Sequence, residues 1–271
     1  MSAKILSQVS GRPHSKGKDW VLYRADCLST LQQIPEGTID MIFADPPYNL
    51  SNGGFTVYAG KRVSVNKGKW DKSQGLQEDF DFHDKWIKAC RRVLKSHGTL
   101  WVSGTYHSIY QCGYALQLND YHILNDVAWF KPNASPNLSC RYFTASHETL
   151  IWARKEKKSK HIFNYEEMRN GDWHEHDEIK KPNKQMRSVW SIHTPKKSEK
   201  VHGKHPTQKS LVLLDRIVKA STNPGDIILD PFAGSSTTGV AAIQNQRKYI
   251  GIDMENDYLN LSKKRLTSVY G

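Results

Sequence analysis

From Asp226 to Thr267 the sequence alternates short apolar runs with amphipathic stretches, and this alternation restricts the chain to an α/β architecture. Asp226-Ile227-Ile228-Leu229-Asp230 predicts a buried strand, Pro231-Phe232-Ala233-Gly234-Ser235-Ser236 a turn of mostly small residues, and 236–245 a helix. A second strand at 247–252 and a second helix at 256–267 follow. The pattern extends upstream, with strands at 21–23 and 39–44 around a brief helix at 28–31. Trp86, Ile87, Cys90, Val93 and Leu94 recur at helical spacing, with Gly98 placed to cap that helix. A strand at 99–103 and a weaker helix at 107–119 come next. The runs 123–130 and 147–153 read as an antiparallel pair at the sheet edge, and a helix resumes at Thr207. The expected fold is a mostly parallel, twisted sheet with an antiparallel edge strand and helices on its faces.

Two strand ends carry chemistry. Asp45-Pro46-Pro47-Tyr48 follows the apolar run Met41-Ile42-Phe43-Ala44 and places a carboxylate, a stiff backbone and an aromatic face together. A planar base lying on Tyr48 could offer its amino hydrogens to Asp45 and to the Pro46 carbonyl; the same four residues also suit an ordinary strand-ending turn. The turn at 231–236 lets a ligand approach the backbone, and Asp253, about twenty residues on, ends the next strand. That is where a carboxylate grips ribose hydroxyls in doubly wound nucleotide-binding sheets.

Composition narrows the partners. The formal net charge of +12 suits a polyanion, and the segment 155–209 holds 14 Lys and Arg against 8 Asp and Glu, a net of +6. A charged segment is commonly just a solvated face, but Phe163, Tyr165, Trp173 and Trp190 are interleaved there and shift the balance toward contact with nucleic acid. Few periodic apolar positions occur over 155–205, so this stretch is expected to be the least core-like and a target-recognition insertion in an otherwise single domain, 1–271. Residues 1–18 are expected to form a loose basic arm, and 49–71, with four glycines, a mobile loop. Cys27, Cys90, Cys112 and Cys140 show no paired spacing and suit a reducing, cytoplasmic setting. No apolar run reaches the roughly 20 residues of a membrane span, and His174-Glu175-His176-Asp177 with His202 and His205 lacks a metal-ligand spacing.

The two strand-end motifs together resemble the amino-methyltransferases that use S-adenosylmethionine, in which Asp-Pro-Pro-Tyr holds the amine and Phe-x-Gly-x-Gly the cofactor. Here the latter reads Phe232-Ala233-Gly234-Ser235-Ser236, with serine at the second glycine. The catalytic element precedes the cofactor element, as in the β-group of DNA adenine-N6 methyltransferases, a circular permutation of the common order. Ala25-Asp26-Cys27, Gly203-Lys204-His205-Pro206-Thr207-Gln208-Lys209 and Asn137-Leu138-Ser139-Cys140-Arg141-Tyr142-Phe143 add to the likeness, which spans about 20–268. Within the group the chain is similar to the second, single-strand-accepting GATC adenine methyltransferases of Dpn-type restriction systems.

The resemblance implies a Rossmann-like methyltransferase fold and S-adenosylmethionine as cofactor. It implies methyl transfer to adenine N6, with GATC as the site, in single-stranded DNA and with double-stranded DNA and a homodimer left open. Asp45, Pro46, Pro47 and Tyr48 would form the catalytic element. Asp230, Phe232, Ala233, Gly234, Ser235 and Ser236 would line the methionine and ribose side, with Asp253 on the ribose, Asp26 and Cys27 at the cofactor adenine, and Lys204, Pro206, Thr207 and Lys209 at its carboxylate. Asn137 and Arg141 would meet the target strand. Simpler roles stand beside these: Asp26 as a helix N-cap, Lys204 and Lys209 as solvated charge, and Arg141 paired with Glu148. Two rival functions are cytosine N4 methylation and a noncatalytic nucleic-acid binding module.

Overall fold

The computed structural model describes residues 9, 12–48, 55–58, 61–64, 72–137 and 139–270, with the backbone alone for 55–58 and 61–64. Strands β1 (Ser15–Lys16) and β2 (Trp20–Arg24) lead into α1 (Cys27–Gln33) and β3 (Ile39–Ala44). After β4 (Phe55–Tyr58) and β5 (Lys61–Ser64), helix α2 (Leu76–Val93) runs into β6 (Leu94–Gly104). Then come α3 (Ile109–Leu118), β7 (His122–Phe130), β8 (His147–Arg154), α4 (Tyr165–Asn170) and β9 (Val189–Ser191). The chain closes with α5 (Leu211–Ser221), β10 (Ile227–Asp230), α6 (Thr237–Gln244), β11 (Lys248–Asp253) and α7 (Asn256–Thr267).

One sheet takes the order β1-β2-β11-β10-β3-β6-β8-β7-β9. Its centre, β2 through β6, is parallel, and β8 is antiparallel to both β6 and β7. The expected pair β7 and β8 therefore forms, but β9, parallel to β7, takes the edge.

Alternation along the central strands builds two cores. Val21, Ile42, Leu229 and Ile250 face one side, where Leu31, Trp86, Ile87, Cys90 and Leu116 pack on them. Leu22, Met41, Phe43, Ile228 and Tyr249 face the other, against Leu213, Ile217, Val240, Ala241 and Leu259. With helices on both faces, β3 is buried along its whole length, the reason its sequence is a continuous apolar run apart from Asp40. Asp40 is accommodated by hydrogen bonds from Lys95 Nζ at 2.6 Å and the Ile227 amide at 2.9 Å.

Two sequence expectations change. Gly98 caps no helix: α2 stops at Val93, Leu94 turns extended at φ −66° and ψ 139°, and Gly98 lies inside β6. There a Cβ would sit 3.0 Å from the Lys95 carbonyl oxygen and 3.2 Å from that of Asp40, so the position needs the smallest side chain. The 155–205 stretch contributes more to the core than its polarity suggested. Trp190 and Ile192 join the second core, and Met168 and Trp173 pack with Ala220. Trp173 and Trp190 are buried, while Phe163 and Tyr165 remain exposed. The arm at 1–18 and the loop at 49–71 fall largely outside the described residues; within them Ser15–Lys16 pairs with β2, and β4 pairs with β5.

Candidate active site

The C-terminal ends of β2, β11, β10 and β3 open into a cavity of about 300 Å³. It lies where strand order reverses, with β10 and β11 continuing to one side of the sheet and β3 and β6 to the other, the usual ligand position in such sheets. Each strand delivers a short turn. From β2 come Asp26 and Cys27, from β3 Asp45 and Pro47, from β10 Asp230, Phe232, Ala233, Gly234 and Ser235, and from β11 Asp253.

The turn after β10 is built on carboxylates. Asp230 Oδ1 accepts the Phe232 amide at 3.0 Å and Oδ2 the Thr238 hydroxyl at 2.7 Å. Asp253 Oδ2 accepts the Gly234 amide at 2.8 Å and Oδ1 the Glu255 amide at 2.8 Å, fastening two strand ends together. Burial pushes the Asp230 carboxyl up to about 7 and the Asp253 carboxyl up to about 6, partly offset by these hydrogen bonds. Gly234 has φ +49°, and a Cβ there would meet the His205 ring at 3.1 Å. Ser236 occupies a left-handed conformation, φ 52°, that glycine adopts without cost. It is fully buried and is not among the residues lining the cavity, and its hydroxyl lies 3.2 Å from the Tyr249 hydroxyl. The serine in place of glycine thus adds nothing to the cavity wall.

Asp45 sits in a buried charged cluster assembled from four regions of the chain. Lys209 Nζ lies 2.5 Å from Asp45 Oδ2 and 3.5 Å from Glu148 Oε2, and Lys131 Nζ lies 2.9 Å from Glu148 Oε1. The Tyr48 hydroxyl is 2.5 Å from Asp45 Oδ1, 3.0 Å from Ser103 Oγ and 3.1 Å from Glu148 Oε2. Two carboxylates and two ammonium groups balance. Burial pushes Asp45 up, against the pull of Lys209. Glu148 is also penalised by burial, but Lys209 and Lys131 outweigh it and hold the carboxyl at about 2.

Most of the residues singled out in the sequence meet here, with departures. Tyr48 does not offer an open ring: it is 5% exposed, and Lys209 Nζ stands 5.1 Å from its ring centroid. Lys209 is not solvated but buried, locked to Asp45 while it also lines the cavity. Asp26 caps α1, accepting the Ser29 amide at 2.9 Å, and lines the cavity as well. Lys204 and Pro206 are exposed and lie outside the lining, whereas Thr207 is part of it. Asn137 organises its own loop, donating to the Tyr142 carbonyl at 2.7 Å and accepting from the Ser139 amide at 3.0 Å. Arg141 is exposed, and the pairing with Glu148 weighed for it is taken by Lys131 and Lys209. Lys131, Ser103, Phe82 and Tyr258 were not singled out in the sequence, and Glu148 entered only as a partner for Arg141. Nothing local marks those four; Glu148 has one signal, that of a lone acid near the start of an apolar strand. Among the described residues no group of three or more His, Cys, Asp or Glu side chains is arranged to hold a metal ion, and no helix is long and apolar enough to cross a membrane.

Comparison with known proteins agrees with this geometry. A family model described as DNA methylase matches residues 39–264. The chain is 50% identical over 263 residues to the Type II methyltransferase M2.LlaDCHI of Lactococcus lactis subsp. cremoris, covering 96% of this chain and 94% of that protein. It is 48% identical to the Type II methyltransferase M2.DpnII of Streptococcus pneumoniae, covering 94% and 92%. Among solved structures it is similar to an M1.HpyAVI-SAM complex, with 28% identity, a TM-score of 0.66 and coverage of 91% and 98%. The PvuII cytosine-N4-specific DNA methyltransferase shares the fold at a TM-score of 0.74 and 19% identity, covering 97% and 95%. A family match over most of the sequence, near-full-length relatives at half identity and the cavity at the switch point lead to one conclusion: the chain belongs to the DNA methylase family.

Proposed function

We propose that the chain transfers a methyl group from S-adenosylmethionine to the exocyclic N6 amine of adenine in DNA, with GATC as the site, as the methyltransferase of a restriction-modification system. The observation that carries this reading is the placement of Asp45 on the wall of the cavity that Asp26, Gly234 and Asp253 also line. The residues suit the cofactor. Asp253 and Asp26 offer carboxylate acceptors for hydroxyl and amino groups, Phe232 and Phe82 give apolar walls, and Gly234 allows close approach to the backbone. When bound, S-adenosylmethionine supplies a methyl group already activated on sulfur, so the protein has to position, desolvate and stabilise charge.

Asp45 accepts a hydrogen from the target amine at a carboxylate oxygen, orients the nitrogen lone pair toward the methyl carbon, and stabilises the positive charge that develops on nitrogen. It need not take a proton before attack. Tyr48 stacks on the base, and a duplex base must leave its stack to reach it, in keeping with a single-stranded substrate or base flipping. Aspartate before Pro-Pro-Tyr favours adenine over cytosine, where relatives more often carry serine. The basic segment 155–205 and the loop carrying Asn137 and Arg141 supply the DNA contacts. A cytoplasmic location completes the reading.

Tritiated methyl transfer to single- and double-stranded oligonucleotides, with and without GATC, followed by nucleoside analysis, tests it. N6-methyladenine confined to GATC substrates is expected, and Asp45→Ala abolishes it with cofactor affinity kept within a few fold. N4-methylcytosine, or full activity of Asp45→Ala, defeats the assignment.

A further inference from the structure

Lys209 stands where the target base has to be. Its ammonium contacts Asp45 Oδ2 at 2.5 Å and lies over the Tyr48 ring at 5.1 Å, engaging both groups that the proposed function gives to adenine. An ammonium presents N–H donors to a carboxylate as an amino group does, and a cation rests on an aromatic face where a base would stack. The two occupants exclude each other. Electrostatics adds a second conflict, because an ammonium held against Asp45 neutralises the charge that should stabilise the developing cation on N6.

Displacing Lys209 from Asp45 is expensive unless another anion receives it, since its side chain is only 7% exposed. Glu148 is placed to do so. Its Oε2 already lies 3.5 Å from Lys209 Nζ, while Lys131 engages the opposite oxygen, Oε1, at 2.9 Å. The other buried acid near the cavity, Asp230, is satisfied by the Phe232 amide and the Thr238 hydroxyl. Glu148 is also fixed from below: it sits near the start of β8, paired in register with Trp129 of β7.

On the reading of the site given above, we propose that Glu148 is a positioning residue for methyl transfer, the carboxylate that takes the Lys209 ammonium when a target base displaces it from Asp45 and Tyr48. Without Glu148 the lysine has Asp45 as its one remaining carboxylate partner among the described residues, and the base has to break that pair. Removing the lysine as well should therefore undo the damage, an outcome that loss of a merely structural acid does not produce.

The test uses the full chain saturated with S-adenosylhomocysteine and measures binding of two oligonucleotides, with adenine or with purine, which lacks the exocyclic amine, at the target position. Single-turnover methylation is followed in parallel. Glu148→Gln is expected to shrink the preference for adenine over purine to near unity and to slow methylation by about thirtyfold, with cofactor affinity within about threefold. Glu148→Gln/Lys209→Met is expected to recover about tenfold of that loss and to restore the adenine preference. Glu148→Asp, which keeps the charge, should lie between Glu148→Gln and the parent.

An unchanged adenine preference in Glu148→Gln, or a double variant no better than the single one, overturns the proposal. Should Glu148→Gln fail to fold, Lys209→Met alone decides: a rise in adenine preference supports the proposal and none overturns it. Asp45→Ala runs alongside, and full activity there defeats the reading of the site itself.

Discussion

Arg216 Nη1 donates to Asp177 Oδ2 at 2.7 Å in an ion pair whose side chains are 0% and 1% exposed, and this pair fastens the 155–205 segment to helix α5. Asp177 Oδ1 also accepts the Ile179 amide at 3.0 Å and the Ser191 amide at 3.1 Å. The guanidinium lies 5.2 Å from the Trp173 ring and 5.0 Å from the Trp190 ring. Asp177→Ala leaves a buried cation and two backbone amides unpaired, and is expected to cost about 3–5 kcal/mol. Denaturant titration should show a lower midpoint for Asp177→Ala than for Asp177→Asn/Arg216→Met, which leaves no charge behind.

Ser236 holds a left-handed backbone and partners the buried Tyr249 hydroxyl. Ser236→Ala keeps the strain and removes the partner, a loss of about 1–3 kcal/mol. Ser236→Gly loses the same hydrogen bond but relieves about 1–2 kcal/mol of backbone cost, so it should be the more stable of the two. Thermal melts rank them, and titration calorimetry with S-adenosylhomocysteine should give both an affinity near the parent's, because this side chain does not line the cavity.

Asp230 and Asp253 titrate near 7 and 6 in the folded protein, against 3.8 for an ordinary aspartate. Carboxyls that bind protons more tightly when folded contribute stability that is complete below about 4 and is lost as pH rises through 6 and 7. Asp230→Asn removes one such group while its amide can still serve Phe232 and Thr238. Denaturation of the cofactor-free protein between pH 5 and 8 should show the parent losing stability and the variant losing less. Equal slopes would contradict the burial argument.

Asp253→Ala deletes a cavity carboxylate and cuts the tie to the Gly234 amide. The dissociation constant for S-adenosylmethionine is expected to rise about tenfold or more, the scale of a lost charge-assisted hydrogen bond. Methyl transfer at saturating cofactor should remain within a few fold of the parent, and an unchanged dissociation constant would remove Asp253 from the ribose.

Residue order alone determined most of the alternating strands and helices, though not α4 or β9, because a period of two or of 3.6 records which face of an element is buried, whatever lies across from it. It also placed Asp45, Gly234 and Asp253 at strand ends, where a doubly wound sheet collects its ligand-binding turns. Only the tertiary structure decided what those ends touch. Lys209 and Glu148 meet at Asp45, with Lys131 on Glu148, because β8 enters the sheet beside β6 and the start of α5 is laid against the opposite core, and no local pattern encodes such a meeting. Packing likewise turned Trp173 and Trp190 inward onto Arg216, although a polar stretch of sequence had set them among charges. Local sequence records the demand for burial, and the sheet order chooses the partner that meets it.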